Sequence, residues 1–261
     1  MKRLIQTMLN QIGYSIVPYL PEQNREFPPD FSAVDIDIIR RVTPFTMTSP
    51  ERILALITAV RYLVDNDIPG DIVECGVWKG GSMMAAALTL LEMNAGDRNL
   101  YLFDTYDGMT VPGERDISHE GLIAEELLAA AGKNEDSGIW AFSPLEKVRN
   151  NILSTGYDRS RVYFIAGRVE DTIPDMAPER ISLLRLDTDW YESTYHELTF
   201  LYPRLCVGGI LIVDDYGHWQ GSRRATDQYL KENRLPIYLS RIDYTGRIAV
   251  KINGNCPFKT D

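Results

Sequence analysis

With 261 residues, 44% of them hydrophobic and 25% charged, the chain has the composition of a soluble globular protein of one large or two small domains. A formal charge of −10 argues against a nucleic-acid backbone as partner, because such binding needs a concentrated basic surface. No stretch approaches the roughly 20 apolar residues of a membrane span, and the opening "MKRLIQTMLNQIGYSIVPYL" lacks a small-residue cleavage site, so a cytoplasmic protein without a membrane partner is expected.

Residues 1–45 are irregular in pattern, and the prolines of "PYLPEQNREFPPDF" (18–31) break any long element. An N-terminal arm with short helices is therefore expected ahead of a main domain over 46–261. "SPERILALITAVRYLVDN" (49–66) reads as an amphipathic helix, with Ser49 at the cap, Pro50 in the first turn and apolar residues at helical spacing. Apolar and helical runs then alternate: strand 71–75, helix 81–94, strand 99–104, helix 143–155, strands 161–166 and 181–187, helix 192–205, strand 209–214 and helix 221–232. Continuous apolar strands separated by helices imply a parallel sheet covered on both faces, a doubly wound α/β domain. "PIYLSRID" (236–243) and "GRIAVKI" (246–252) are separated only by Tyr244 and Thr245, enough for an antiparallel hairpin but too short for a crossover. Five parallel strands followed by such a hairpin resemble the Rossmann-like class I methyltransferase topology. The connection at 106–138 is longer than usual and is expected to be a lid.

The three cysteines, Cys75, Cys206 and Cys256, share no ligand-like spacing and read as free thiols in a reducing compartment. The turn in "DIVECGVWKGGSMMAAA" (71–87) admits three ligands in principle. A P-loop needs a lysine after its last glycine, whereas Lys79 precedes Gly80 and Gly81; a dinucleotide fingerprint needs a close first pair of glycines, which is missing. Glu74 at the end of the first strand would repel a pyrophosphate, but it suits the α-amino end of a zwitterion such as S-adenosylmethionine. Gly76 would let that ligand approach the backbone, and Ser82 with the first helical amides would take its carboxylate. Asp104, ending strand two, would accept the ribose hydroxyl protons. An ordinary strand-to-helix turn with an incidental acid is the alternative.

"ISLLRLDTDWYEST" (181–194) ends a strand in Asp187 and Asp189, and "GGILIVDDYGHW" (208–219) ends the next in Asp214 and Asp215. On neighbouring strands these ends converge at the carboxyl edge of the sheet, where open α/β folds place ligands. Four acids on one rim repel each other unless a cation intervenes, and oxygen ligands without sulfur favour Mg²⁺ or Ca²⁺ over zinc. Helix capping is the alternative reading, above all for Asp189.

"TMTSPERILAL", "GDIVECGVWKGGSMM", "LLRLDTDWYESTYHELTFLYPRL" and "GGILIVDDYG" together resemble the macrocin O-methyltransferase family of metal-dependent sugar O-methyltransferases, over roughly residues 40–230. The resemblance implies a class I methyltransferase fold, dimeric or larger, that uses S-adenosylmethionine and Mg²⁺ to methylate a hydroxyl of a (deoxy)sugar in natural-product or glycan biosynthesis. It further implies Asp187, Asp214 and Asp215 as metal ligands, with Asp187 also the general base. Glu74, Gly76, Ser82 and Asp104 fall on cofactor positions, Gly167, Arg168, Val169 and Thr188 near the adenine pocket, and Met47 and Ser49 of the "TMTSPER" block beside the methionine end. The arm and the lid carry no block that identifies the acceptor.

Other residues remain open at this level. His119, His196 and His218 read by default as surface or packing residues, and Arg185, a charge inside strand four, as half of a buried ion pair. A catechol-like or other vicinal diol acceptor would call for an apolar slot around Trp190. A hydroxylase-like relative would need a 2-His-1-carboxylate iron triad, which the three histidines do not present. A sensor or assembly subunit would bind S-adenosylmethionine without needing a metal.

Overall fold

The structure, a computed structural model, describes residues 27–134 and 137–253. Most of the expected arm (1–26) and Cys256 lie outside the described residues. The chain divides into two compact units, residues 1–32 and 33–261. The larger unit begins with helix α1 (Ala33–Val42), whose Ile38, Ile39 and Val42 are buried. Helix α2 (Pro50–Asp65) starts where its cap chemistry dictates: the Ser49 hydroxyl accepts the Arg52 amide at 3.2 Å, and Pro50 occupies the first helical position. It buries Ile53, Leu56, Ile57, Val60 and Leu63, one stripe at helical spacing.

Strands and helices then alternate as β1 (Asp71–Cys75), α3 (Gly81–Glu92), β2 (Leu100–Asp104), α4 (Ala124–Ala130), α5 (Leu145–Leu153), β3 (Val162–Ala166), α6 (Val169–Thr172), β4 (Ile181–Leu186), α7 (Tyr191–Leu201), β5 (Leu205–Val213) and α8 (Gln220–Glu232). The chain closes with β6 (Ser240–Arg241) and β7 (Arg247–Val250). One sheet runs β3-β2-β1-β4-β5-β7-β6, with β1 to β5 parallel and β7 antiparallel to both β5 and β6. This is the expected class I methyltransferase architecture. Central strands are rich in apolar residues because both faces are covered; all six residues of β4 are buried, Ser182 and Arg185 included.

Two boundaries differ from the sequence pattern. β5 begins at Leu205 rather than 209, with Gly208 at φ +83° and a register shift against β4 absorbing the Gly208-Gly209 interruption. β6 keeps only two residues of the expected 236–243, because it is the outer strand and pairs on one side alone. Among the described residues no helix is long and apolar enough to cross a membrane.

The long connection between β2 and α5 is fastened at its middle. Asp116, 1% exposed, accepts the Tyr191 amide on Oδ1 (2.8 Å) and the Gly113 amide on Oδ2 (2.7 Å), so it caps α7 from a distant segment. Gly221 in α8 makes room for it: a Cβ there would sit 1.9 Å from Asp116 Oδ1. The amides of His119 and Gln220 donate to the carbonyls of His218 (2.7 Å) and Ile117 (2.8 Å), and Trp190 Nε1 donates to the Thr110 carbonyl (3.1 Å). Opening this part of the expected lid would break all of these bonds. Asp116→Ala is expected to strand two amides at a cost of about 1–3 kcal/mol in chemical or thermal unfolding, and Asp116→Asn, which keeps one acceptor oxygen, to lose less.

Candidate active site

The site grows from the register of the parallel strands. Cys75 of β1 stands level with Phe103 of β2 and Leu186 of β4, and Leu186 level with Val213 of β5. One residue further, the ladder continues through the amides of Gly76, Asp187 and Asp214, which donate to the carbonyls of Phe103 (2.9 Å), Cys75 (2.8 Å) and Leu186 (2.9 Å). Asp104 pairs with Ala166, and the Gly167 amide donates to the Asp104 carbonyl at 3.0 Å. Ala166, Asp104, Gly76, Asp187 and Asp214 therefore form one transverse row at the carboxyl edge, with Gly167 one residue beyond it. A cavity of about 390 Å³ opens above that row.

Four acids crowd one end of the cavity: Asp187, Asp189, Asp214 and Asp215. Their counter-charge comes from inside the sheet. Arg185, 2% exposed, donates from Nη1 to Glu74 Oε1 (2.7 Å) and Asp187 Oδ2 (2.6 Å), and from Nη2 to Asp214 Oδ1 (2.5 Å) and Thr48 Oγ1 (3.3 Å). The sequence default of a buried ion pair thus becomes a four-partner hub. A second cation, Arg52 of α2, pairs through Nη1 with Asp214 Oδ2 and through Nε with Asp243 Oδ2 at 3.0 Å.

Two arginines do not neutralise the cluster. Burial pushes Asp187 and Asp215 well above the usual carboxylate range, reinforced by their acidic neighbours, and raises Asp189 and Glu74 to about 7. Asp187, Asp214 and Asp215 each offer an oxygen within 4.8 Å of the others, and the buried Asp215 Oδ2 has no hydrogen-bond partner among the described residues. An all-oxygen set with surplus negative charge and an orphaned oxygen is chemically suited to a hard divalent cation. Asp189 does not cap α7; it stands at φ +68° and lines the cavity.

At the other end, the glycine turn is latched to β2. Asp104 Oδ2 accepts the amides of Val77 (2.6 Å) and Trp78 (3.0 Å), and Oδ1 that of Tyr106 (2.7 Å) and, at 3.5 Å, the Thr105 hydroxyl. Gly76, at φ +83°, answers a packing demand as well: a Cβ would fall 2.0 Å from the Asp187 carbonyl oxygen. The residue that edges the turn thereby lets β4 deliver Asp187 beside it.

Of the residues singled out in the sequence, Met47, Gly76, Ser82, Asp104, Gly167, Arg168, Val169, Asp187, Thr188, Asp214 and Asp215 line this one cavity. Two stand behind it. Glu74 is 1% exposed, with one oxygen on Arg185 and Oε2 unpartnered among the described residues; the Ser49 hydroxyl caps α2 and donates to Asp243 Oδ2 at 2.8 Å. Thr188 Oγ1 donates to the buried Glu197 at 2.8 Å. His218 lines the cavity with its ring 5.1 Å from His119, and burial, helped by that neighbour, holds it below its usual range. His196 instead meets the Ile173 carbonyl and Phe200. Among the described residues the three acids are the only group of metal-ligating side chains gathered closely enough for one ion, so no histidine triad forms. Sequence reasoning missed Arg52, although it lies in the quoted "TSPER", as well as Asp116 and Asp243, which carry no local signal.

The raised carboxyls set a pH dependence. Unfolded, these groups titrate near about 4; between that and about 7 the folded chain holds more protons than the unfolded one, so stability falls as pH rises. Calorimetry of the metal-free chain is expected to show a higher unfolding temperature near about pH 5.5 than near about pH 7.5, and added divalent cation to shrink that gap.

The profile of the macrocin-O-methyltransferase (TylF) family matches residues 23–250. The chain is 32% identical over 201 residues to the demethyldecarbamoylnovobiocin O-methyltransferase of Streptomyces niveus, covering 77% of this chain and 73% of that one. Against the 8-demethyl-8-(2,3-dimethoxy-alpha-L-rhamnosyl)-tetracenomycin-C 4'-O-methyltransferase of Streptomyces olivaceus it is 34% identical over the same share of each chain. The solved O-methyltransferase NovP superposes with a TM-score of 0.70 at 31% identity, over 80% of this chain and 83% of that one. With the fold, the strand-end acids and the family profile in agreement along most of its length, the chain belongs to the macrocin-O-methyltransferase family of O-methyltransferases.

Proposed function

We propose that the chain transfers a methyl group from S-adenosylmethionine to a hydroxyl of a sugar, with Mg²⁺ held by Asp187, Asp214 and Asp215. The observation that carries this reading is the meeting of those three acids with the glycine turn in one cavity, whose volume lies in the about 300–1,000 Å³ range of small-molecule sites. The rhamnosyl acceptor named for the tetracenomycin relative supports a sugar as the methylated group. An apolar slot formed by Trp190 itself, as an aromatic diol would need, is not supported: Trp190 is 2% exposed and packs edge-on against Trp219, and it is Trp219 and Trp78 that line the cavity.

S-adenosylmethionine supplies the methyl on a positively charged sulfur that leaves as a neutral thioether. The divalent ion supplies Lewis acidity that lowers the pKa of a bound hydroxyl. The protein's own part is orientation and proton removal. Asp187 keeps 27% of its side chain exposed against 5% for Asp214, so of these two it is the one more open to an acceptor. Arg185 holds Asp187 Oδ2, which leaves Oδ1 to take the hydroxyl proton as oxygen attacks carbon. The glycine turn, held in shape by Asp104, and Ser82 at the start of α3 position the zwitterionic end of the donor, with the buried Glu74 carboxyl behind them. Gly167, Arg168 and Val169 form the opposite wall for the adenine, and the long connection over Gly108, Met109 and Thr110 covers the reacting end from water.

Asp187→Asn is expected to lower kcat by about 100- to 10,000-fold on a glycosylated acceptor, while S-adenosylhomocysteine binding by calorimetry stays within about threefold of wild type. Near wild-type turnover in that variant would rule out Asp187 as the base.

A further inference from the structure

The "TMTSPER" block is only partly used by the reaction. Met47, Thr48 and Arg52 line the cavity, and Thr48, Ser49 and Arg52 also meet charged partners. Asp214 has both oxygens on guanidinium groups, Oδ1 on Arg185 and Oδ2 on Arg52. Arg185 is fully enclosed and shared with Glu74 and Asp187, so it has no other place to go. Arg52 differs. It sits on the cavity wall with 13% of its side chain exposed, and a second carboxylate, Asp243, already pairs with it as an ion, with Oδ2 3.0 Å from Nε.

Asp243 is built to receive a cation. Its Oδ1 takes the amides of Thr245 (2.9 Å) and Gly246 (2.7 Å), which fixes the β6–β7 turn; its Oδ2 takes the Ser49 hydroxyl and lies in ion-pair contact with the Arg52 guanidinium. Gly246 packs on the arginine stem, where a Cβ would lie 2.8 Å from Arg52 Cδ. The guanidinium thus bridges two anions, one in the acid cluster and one outside it.

We propose that Arg52 is a resident cation that competes with the divalent ion for the Asp214 carboxylate, and that Asp243 is the anion that retains its guanidinium when the ion binds. The inference rests on the metal reading above. Arg52 is then a positioning residue: it offsets the charge of the acid cluster until the ion arrives, and like-charge repulsion makes the ion's affinity depend on how firmly Asp243 draws it away. Opposite signs follow. Removing the arginine charge removes the competitor and tightens ion binding, whereas neutralising Asp243 leaves Arg52 committed to Asp214 and weakens it. A purely structural role for the Arg52–Asp243 pair gives the same sign for both, because both substitutions break the same contact.

The test is a titration of Mn²⁺ alone, with free ion read by electron paramagnetic resonance, into wild type, Arg52→Gln, Arg52→Lys, Asp243→Asn and the Arg52→Gln/Asp243→Asn double variant. Arg52→Gln is expected to bind about fivefold or more tightly and Asp243→Asn about fivefold or more weakly, while the double variant follows Arg52→Gln and Arg52→Lys stays near wild type. Arg52→Met replaces Arg52→Gln if the latter does not fold, as judged by thermal unfolding. Weaker binding in both single variants, or an unchanged affinity in Arg52→Gln, overturns the proposal and leaves the metal reading standing. A wild type that binds no Mn²⁺ overturns both.

Discussion

A guanidinium enclosed in the middle of a parallel sheet organises everything at the carboxyl edge. Arg185 belongs to β4, where every other residue of the strand is apolar or small, and taking its charge out of water is costly unless its donors are met. Three carboxylates meet them, from the end of β1, the end of β4 and the end of β5, together with a hydroxyl from the segment before α2. Breaking a buried pair of this kind costs about 3–5 kcal/mol, because the remaining charge is left uncompensated. The strand ends are therefore held at fixed spacing by the same group that orients Asp187.

That arrangement requires close approach between backbones. Gly76 is the meeting point: its amide extends the ladder to β2, and its missing Cβ admits the carbonyl of Asp187. The glycine turn and the acid cluster are thus two faces of one junction between β1 and β4. A methyl donor bound over the turn and a hydroxyl bound at the acids would face each other across the width of that junction, and such alignment is the protein's largest contribution to an in-line displacement.

Charge at the site is balanced from remote parts of the chain. Ser49 and Asp243 are hydrogen-bonded across 194 residues, and Asp116 reaches Tyr191 across 75. Both aspartates use one oxygen on local turn amides and the other on a distant donor, so each fastens a loop while it settles a helix start or a cation. The long connection is consequently anchored at Asp116 and His119, and its flanks line the cavity through Gly108, Met109, Thr110, Gly138, Ile139 and Ala141.

Much of this was legible residue by residue. Apolar periodicity, the Ser49 cap, the glycine turn and the acids at strand ends are local features, dictated by backbone geometry within a few residues, and they were enough for the α/β order, the closing hairpin and eleven residues that share one cavity. Local pattern could not show that Glu74 and Ser49 face away from the cavity, because their orientation depends on Arg185 and Asp243. Nor could it pair Arg52 with Asp214 and Asp243, or make Asp116 the cap of α7. The sequence by itself determined which chemical groups stand at the strand ends; only the tertiary structure decided which charges meet, because ion pairs depend on distances of about 3 Å set by strand register and helix packing, not by separation along the chain.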